Sequence, residues 1–423
     1  MENLKKKILF VLPFFPYPLS SGGSQAIFNG IAVACDNFEV FVTYRVYGQR
    51  NTKSEEKFAT LLDGKVNLLP CVFPARKEVK PSVNQRISKL FYKVEKKLRK
   101  GAGIDWPTPQ RIPHKAWIYE DLFPKETKFA KHVNDIVGKY GIDIVQCEML
   151  PTVTLGLTLP DHVRKVFVHH ELGWVVHELE LLGQSGDSFE QKLYLDYYKT
   201  NEVALLNAFD DVIALSAVDS EKLVRAGVRV PVHTSLAVVN TSQKELLSTE
   251  RGNVLSFVGP ECNTPNVDGL KWFLLNVWGR LREVDPTYEL HIIGKWKLSS
   301  IEALISGYDN VKYLGFVADL PSALKDTIMI VPITIGSGIR MKILEAASMG
   351  VPFVTTSVGV EGIPVENGVH CYVADAPEDF MNAVLQLKDA EIRKRFAVNA
   401  NRLVSDRFTL DALRSNRLDI YNN

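Results

Sequence analysis

Short runs of Val, Ile, Leu and Phe recur along the chain at a length that fits strands. The first set is ILFVL (8–12), VFVTY (40–44), DIVQC (143–147), KVFVHH (165–170) and DVIAL (211–215). The second is VLSFVG (254–259), ELHIIG (289–294), VKYLG (311–315), IMIVP (328–332) and PFVTT (352–356). Most are continuously apolar, the pattern of strands buried on both faces of a parallel sheet. Amphipathic stretches lie between most of them, and Leu270–Leu281 and Met341–Met349 carry apolar positions at helical spacing. Strand–helix alternation on both sides of about residue 245 predicts two doubly wound α/β domains. The polar stretch NTSQKELLSTERGN (240–253) marks the boundary, giving domains over 1–245 and 246–403. The tail from Asp389 reads as two helices, the last of which, over 404–423, packs back on the first domain.

At 423 residues the chain has room for two or three domains and a large core. Its 46% hydrophobic and 23% charged residues exclude extended disorder. A net charge of +1 gives no drive toward nucleic acid, and none is expected as a partner. Five dispersed cysteines without a CxxC pair point to reduced thiols, with neither a disulfide framework nor a zinc site. The start, MENLKKKILFVLPFFPYPL, is broken by Pro13, Pro16 and Pro18, so it reads as a first strand over Lys7–Leu12 in a cytoplasmic protein, not as a signal peptide. No apolar run is long enough to span a membrane.

One segment stands apart in charge. Arg76–Lys100 holds ten Lys and Arg against Glu78 and Glu95. Within 86–100, Ile87, Leu90, Phe91, Val94 and Leu98 fall on one helical face. Such a helix fits peripheral contact with an anionic membrane surface, and equally fits docking on its own domain.

Three clusters carry candidate chemistry. After the first strand, Gly22 and Gly23 precede a helix expected near Ser24, where free amides would favour an anion; a plain glycine-rich turn explains the pair as well. After the strand IMIVP, Gly336-Ser337-Gly338-Ile339-Arg340-Met341-Lys342 leads into a helix expected near Gly338. Amides, helix dipole and two cations at one place fit a diphosphate, and Glu345 further along fits a ribose diol. The same residues also fit a helix cap with solvated side chains. His169, His170 and Glu171 stand at the carboxyl end of a strand, where open α/β sheets bind ligands. Adjacent strand residues point to opposite faces, so a shared metal is disfavoured, and a structural histidine remains an alternative.

Residues 254–364 resemble the nucleotide-sugar-binding domain of glycosyltransferase family four, of the GT-B fold. The resemblance rests on SFVGPECNTPNVDGLKWF (256–273), YELHIIGKW (288–296), VKYLGFVADL (311–320) and VPITIGSGIRMKILEAASMGVPFVTTSVGVEGI (331–363). The first domain matches through Gly22-Gly23, DIVQCE (143–148), the His169 region and ALSAVDS (214–220). The resemblance implies two Rossmann-like domains facing a cleft, and a retaining, metal-independent transfer of a sugar from a nucleoside diphosphate sugar, without cofactor. The acceptor would be a glycan or lipid-linked molecule of bacterial surface polysaccharide synthesis. Glu345 would bind the ribose. Gly336, Ser337, Gly338 and Ile339 would contact diphosphate and sugar, with Gly22 and Gly23 opposite. Backbone near Val317 would meet the base, and Gly259 would lie beside the donor. His169 would line the transfer point, with Glu148, His170 and Glu171 toward the acceptor. Two departures stand out. Ser337 occupies the place of a family glutamate, and PECNTPN lacks the Arg and Lys that often follow Val258-Gly259, a charge that Arg340 and Lys342 would replace. A nucleotide-sugar epimerase or hydrolase and a degenerate sensor or scaffold are the rival readings. A nicotinamide dehydrogenase is disfavoured because neither domain opens with a GxGxxG fingerprint.

Overall fold

Two parallel sheets, one in each half, form the frame of the computed structural model. It describes residues 5–19, 21–75, 127–182, 189–239, 246–247 and 250–422. The basic segment 76–100, with its amphipathic stretch 86–100, and most of the polar boundary lie outside the described residues.

The first half comprises β1 (Lys7–Leu12), α1 (Gly22–Cys35), β2 (Glu39–Tyr47), α2 (Thr52–Leu61), β3 (Val66–Leu68), β4 (Cys71–Phe73), α3 (Thr127–Tyr140), β5 (Ile144–Glu148), a 3-10 segment Leu150–Leu157, β6 (Arg164–His169), α4 (Gly173–Leu182), α5 (Phe189–Leu206), β7 (Asp211–Ala214), α6 (Ala217–Ala226) and β8 (Val232–Thr234). The second comprises β9 (Val254–Val258), α7 (Thr264–Phe273), a π turn Leu274–Trp278, α8 (Gly279–Val284), β10 (Glu289–Ile293), α9 (Leu298–Ile305), β11 (Val311–Gly315), α10 (Leu320–Leu324), β12 (Ile328–Val331), α11 (Met341–Met349), β13 (Phe353–Thr355), β14 (Tyr372–Val373), α12 (Pro377–Gln386), α13 (Ala390–Arg407) and α14 (Leu410–Asn422).

Strand order is β3-β2-β1-β5-β6-β7-β8 in the first sheet, with β4 beside β2, and β11-β10-β9-β12-β13-β14 in the second. Each sheet reverses direction of winding once, between β1 and β5 and between β9 and β12. Those switch points open crevices at the carboxyl ends of the strands, where doubly wound sheets bind ligands. The continuous apolar runs are buried on both faces, as their pattern predicts. In β1, Ile8, Phe10 and Leu12 pack with Ile27 and Ile31 of α1, while Leu9 and Val11 pack with Phe129 and Val133 of α3. The strands missing from the sequence reading, β3, β4, β8 and β14, have at most three residues each, too short to show a period.

Two helix expectations are corrected and a third is extended. The helix expected near Ser24 begins at Gly22, because the Ser21 hydroxyl accepts the Ser24 N–H as its N-cap. The helix expected near Gly338 begins only at Met341, because Gly336 and Gly338 hold positive φ angles of 124° and 80° that no α-helix accommodates. Leu270–Leu281 is part of a longer run that passes through the π turn. At the end of the chain α14 crosses back and lies on α1, where Tyr421 meets Phe38 edge-on at 5.5 Å and Arg414 bonds Asp36 at 3.1 Å. All five cysteines are free.

Candidate active site

The two switch points face each other, and two helix starts come close together there. A Cβ on Gly22 would lie 2.5 Å from Met341 Cγ, so only glycine lets α1 and α11 come this near. Both helices present their N-termini here. The positive ends of two dipoles therefore converge, an arrangement that an anion relieves.

Arg340 and Lys342 add full charges at the same place. Arg340 Nη1 donates to the Gly338 carbonyl at 2.6 Å and also to that of Ser337, which folds the side chain over its own loop. Its Nε and Nη2 are buried without a partner. Buried guanidinium N–H groups are normally satisfied, so these two are poised for a ligand. Lys342 Nζ donates to Asn266 Oδ1 at 2.6 Å and lies 5.2 Å from the Phe257 ring centre. Burial, reinforced by the neighbouring Arg340 charge, depresses its pKa to about 7. Gly259 serves this lysine indirectly. A side chain there would strike Asn266 at 2.5 Å, so the glycine makes room for the amide that holds Lys342.

Around this cationic centre the structure places the remaining residues of the second domain. Glu345 accepts from Gln25 Nε2 of α1 at 2.7 Å, and burial raises its pKa. Ser337 is 4% exposed, and its hydroxyl accepts the Leu172 N–H at 3.1 Å, a contact to the first domain. Gly338 sits against the same loop, where a Cβ would lie 2.4 Å from the His170 carbonyl oxygen. Gly336 is confined by Arg340 Nη2, 2.8 Å from its would-be Cβ. Ile339 is half-buried and packs toward Gly362. Val317 follows β11, half-buried, beside an exposed Phe316 whose ring carries Lys295 Nζ at 5.0 Å.

In the first domain Gly23 lies against Met149, whose Cε would be 2.5 Å from a Cβ there. His169 and His170 part company, as strand alternation requires. His169 is buried at 2% exposure, and its Nε2 bonds Glu202 Oε1 at 2.7 Å. Glu202 also accepts the N–H groups of Gly173 and Trp174 at the start of α4. His169 is thus held beneath the crevice. His170 is nearer the surface, its Nε2 bonded to Glu148 Oε2 at 2.6 Å. Glu171 lies at the rim beside Arg340, where its carboxylate accepts the Ser337 N–H; desolvation raises its pKa, against the pull of the Arg340 charge.

Sequence reasoning did not find Gln25, Asn266, Glu202 or Gln146. Each acts as the partner of a residue it did find, across 33 to 320 positions in three of the four cases. Pairings at such separations leave no local pattern. Among the described residues no group of three or more His, Cys, Asp and Glu could hold a metal ion, and no helix is long and apolar enough to cross a membrane.

Residues 252–389 match the family model of the group 1 glycosyl transferases. The second domain is therefore that of a glycosyltransferase. An uncharacterized 44.6 kDa protein in the cps region of Klebsiella pneumoniae is 25% identical over 302 residues, 68% of this chain and 76% of that protein. Among solved structures, S. aureus TarM in complex with UDP superposes with a TM-score of 0.67 at 12% identity, over 99% of this glycosyltransferase and 100% of TarM. Anabaena Alr3699/HepE in complex with UDP and glucose superposes with a TM-score of 0.63 at 16% identity, over 99% and 100%. At these identities the likeness is one of fold, and the fold is GT-B.

Proposed function

We propose that this glycosyltransferase moves a sugar from a nucleoside diphosphate sugar to a glycan or lipid-linked acceptor of a surface polysaccharide, with retention of configuration and without a metal ion. The observation that carries the reading is the convergence of the α1 and α11 N-termini on Arg340, whose Nε and Nη2 are buried and unpaired. Fixed amides and cations of this kind neutralise a departing diphosphate where it forms. The ligands of HepE and TarM and the cps location of the Klebsiella relative support the donor and pathway classes.

In the reaction the C1–O bond to the diphosphate breaks, and the electron pair leaves on the diphosphate oxygen. That charge falls on the Arg340 and Lys342 side chains and the α11 amides. The acceptor hydroxyl forms the new C1–O bond on the same face and gives up its proton to the departing diphosphate. His170, less buried than His169 and with its carbonyl oxygen beside Gly338, is assigned to the transfer point in preference to the buried His169. Glu345 accepts from the ribose once Gln25 yields it, and Glu171 faces the sugar from the opposite domain. Backbone near Val317, with the exposed Phe316 ring, takes the base.

Proton NMR of the reaction catalysed in EDTA tests this reading. The first-formed product carries the anomeric configuration of the donor. Product of inverted configuration, or turnover that needs an added divalent ion, would overturn the mechanism. Nucleotide binding without any transfer would instead favour a sugar-nucleotide sensor.

A further inference from the structure

The last helix of the chain is tied to the crevice by an unbroken line of buried polar groups. Tyr421 Oη donates to Gln146 Oε1 at 2.6 Å. Gln146 Nε2 donates to Glu148 Oε1 at 2.6 Å. Glu148 Oε2 lies 2.6 Å from His170 Nε2. Tyr421, Gln146 and Glu148 are 1%, 0% and 2% exposed. Gln146 and Glu148 stand two apart on β5 and so share one face.

We propose that Tyr421 is a positioning residue for His170, acting through Gln146 and Glu148; the inference rests on the placing of His170 at the transfer point.

The line runs in one direction only. A carboxylate can only accept, so Glu148 draws the Gln146 amide nitrogen toward itself, which leaves the amide oxygen to accept the Tyr421 O–H. A carboxylate that accepts from that nitrogen on one oxygen accepts on the other from an imidazole N–H. His170 is thereby held as the Nε2–H form, with Nδ1 left to the crevice. Burying an amide and a carboxylate this deeply costs stability unless every partner is in place, so the line either stands whole or loses its order. Neither Gln146 nor Tyr421 has another part in the reaction. The arrangement makes completion of the site depend on α14, which follows both sheets in chain order.

Tyr421→Phe removes the hydroxyl and keeps the ring against Phe38. It is expected to lower kcat about tenfold, with donor KM and nucleotide-induced thermal shift unchanged. In a His170→Asn background the same change is expected to add nothing. A kcat within twofold of the parent, or an equal loss in the His170→Asn background, would overturn the proposal. A second readout does not need turnover. In the full-length chain with 15N-labelled histidine, assigned through His170→Asn, His170 is expected to show a protected Hε2 and an unprotonated Nδ1. Tyr421→Phe is expected to speed exchange of that proton at least tenfold. Unchanged exchange and tautomer would sink the proposal. If the wild type transfers no sugar at all, the functional reading fails while this spectrum still decides the positioning.

Discussion

Replacing Arg340 and Lys342 together with alanine is expected to raise donor KM by about 100-fold or more. A charge-assisted hydrogen bond to a phosphate contributes about 1.5–3 kcal/mol, and the pair makes at least two. The effect should exceed that of removing surface cations because both groups lie in a crowded, water-poor site. Arg340 Nε and Nη2 have no protein partner to fall back on, so their interaction with the ligand is the one they are placed to make. The changes are not expected to unfold the protein, since Lys342 is a destabilised cation in the apo state. Its pKa of about 7 lies below the ordinary lysine value, so the unfolded chain binds the proton more tightly than the folded one. The penalty is fully present below about pH 7 and fades as pH rises toward the unfolded value. A melting temperature close to wild type together with wild-type donor kinetics would refute the role given to the pair.

Affinity for the donor is expected to fall about tenfold between about pH 6 and about pH 8. In the free site Lys342 loses its proton near pH 7, because burial and the Arg340 charge both disfavour its charged form. A bound diphosphate supplies the opposite charge and restores the ordinary high pKa. Binding above pH 7 must therefore take up a proton, and each unit of pH in that range weakens it. Calorimetry with the intact sugar nucleotide, whose diphosphate has no proton to lose in this range, reads the uptake directly from the dependence on buffer ionisation enthalpy. Lys342→Met should give a flat profile at the weaker level and a higher apo melting temperature. A wild-type affinity that does not change with pH would place Lys342 outside the diphosphate site.

Much of this architecture is legible in the order of residues. Strands buried on both faces announce themselves as apolar runs, and ten of them lead to two doubly wound sheets without any view of the fold. Gly336, Gly338, Arg340 and Lys342 were recognisable because a turn that needs positive φ, two cations and a helix start are all local features. What was not legible is what only the third dimension brings together. Gly22 looked like a turn glycine, yet its smallness serves the contact with Met341, 319 positions away along the chain. The histidine pair was visible, but which ring is buried depends on Glu202 from another helix. The return of the last helix to the first domain was legible, but not that it carries Tyr421 to Gln146. The departure at Ser337 could be read as a missing carboxylate, but not as a bond to Leu172 across the domains.

The central claim is a diphosphate site built from helix amides and two cations. Thermal-shift titration of the purified chain with UDP, GDP, ADP and TDP and their common sugars, in the presence and absence of EDTA, tests it most directly. A ligand that binds only the folded state at 100 times its Kd stabilises that state by about 2.7 kcal/mol. The account predicts a rise in Tm with the nucleotides of one base, unchanged by EDTA and abolished by Arg340→Ala with Lys342→Ala. Silence across the panel, or a rise that EDTA removes, would contradict it.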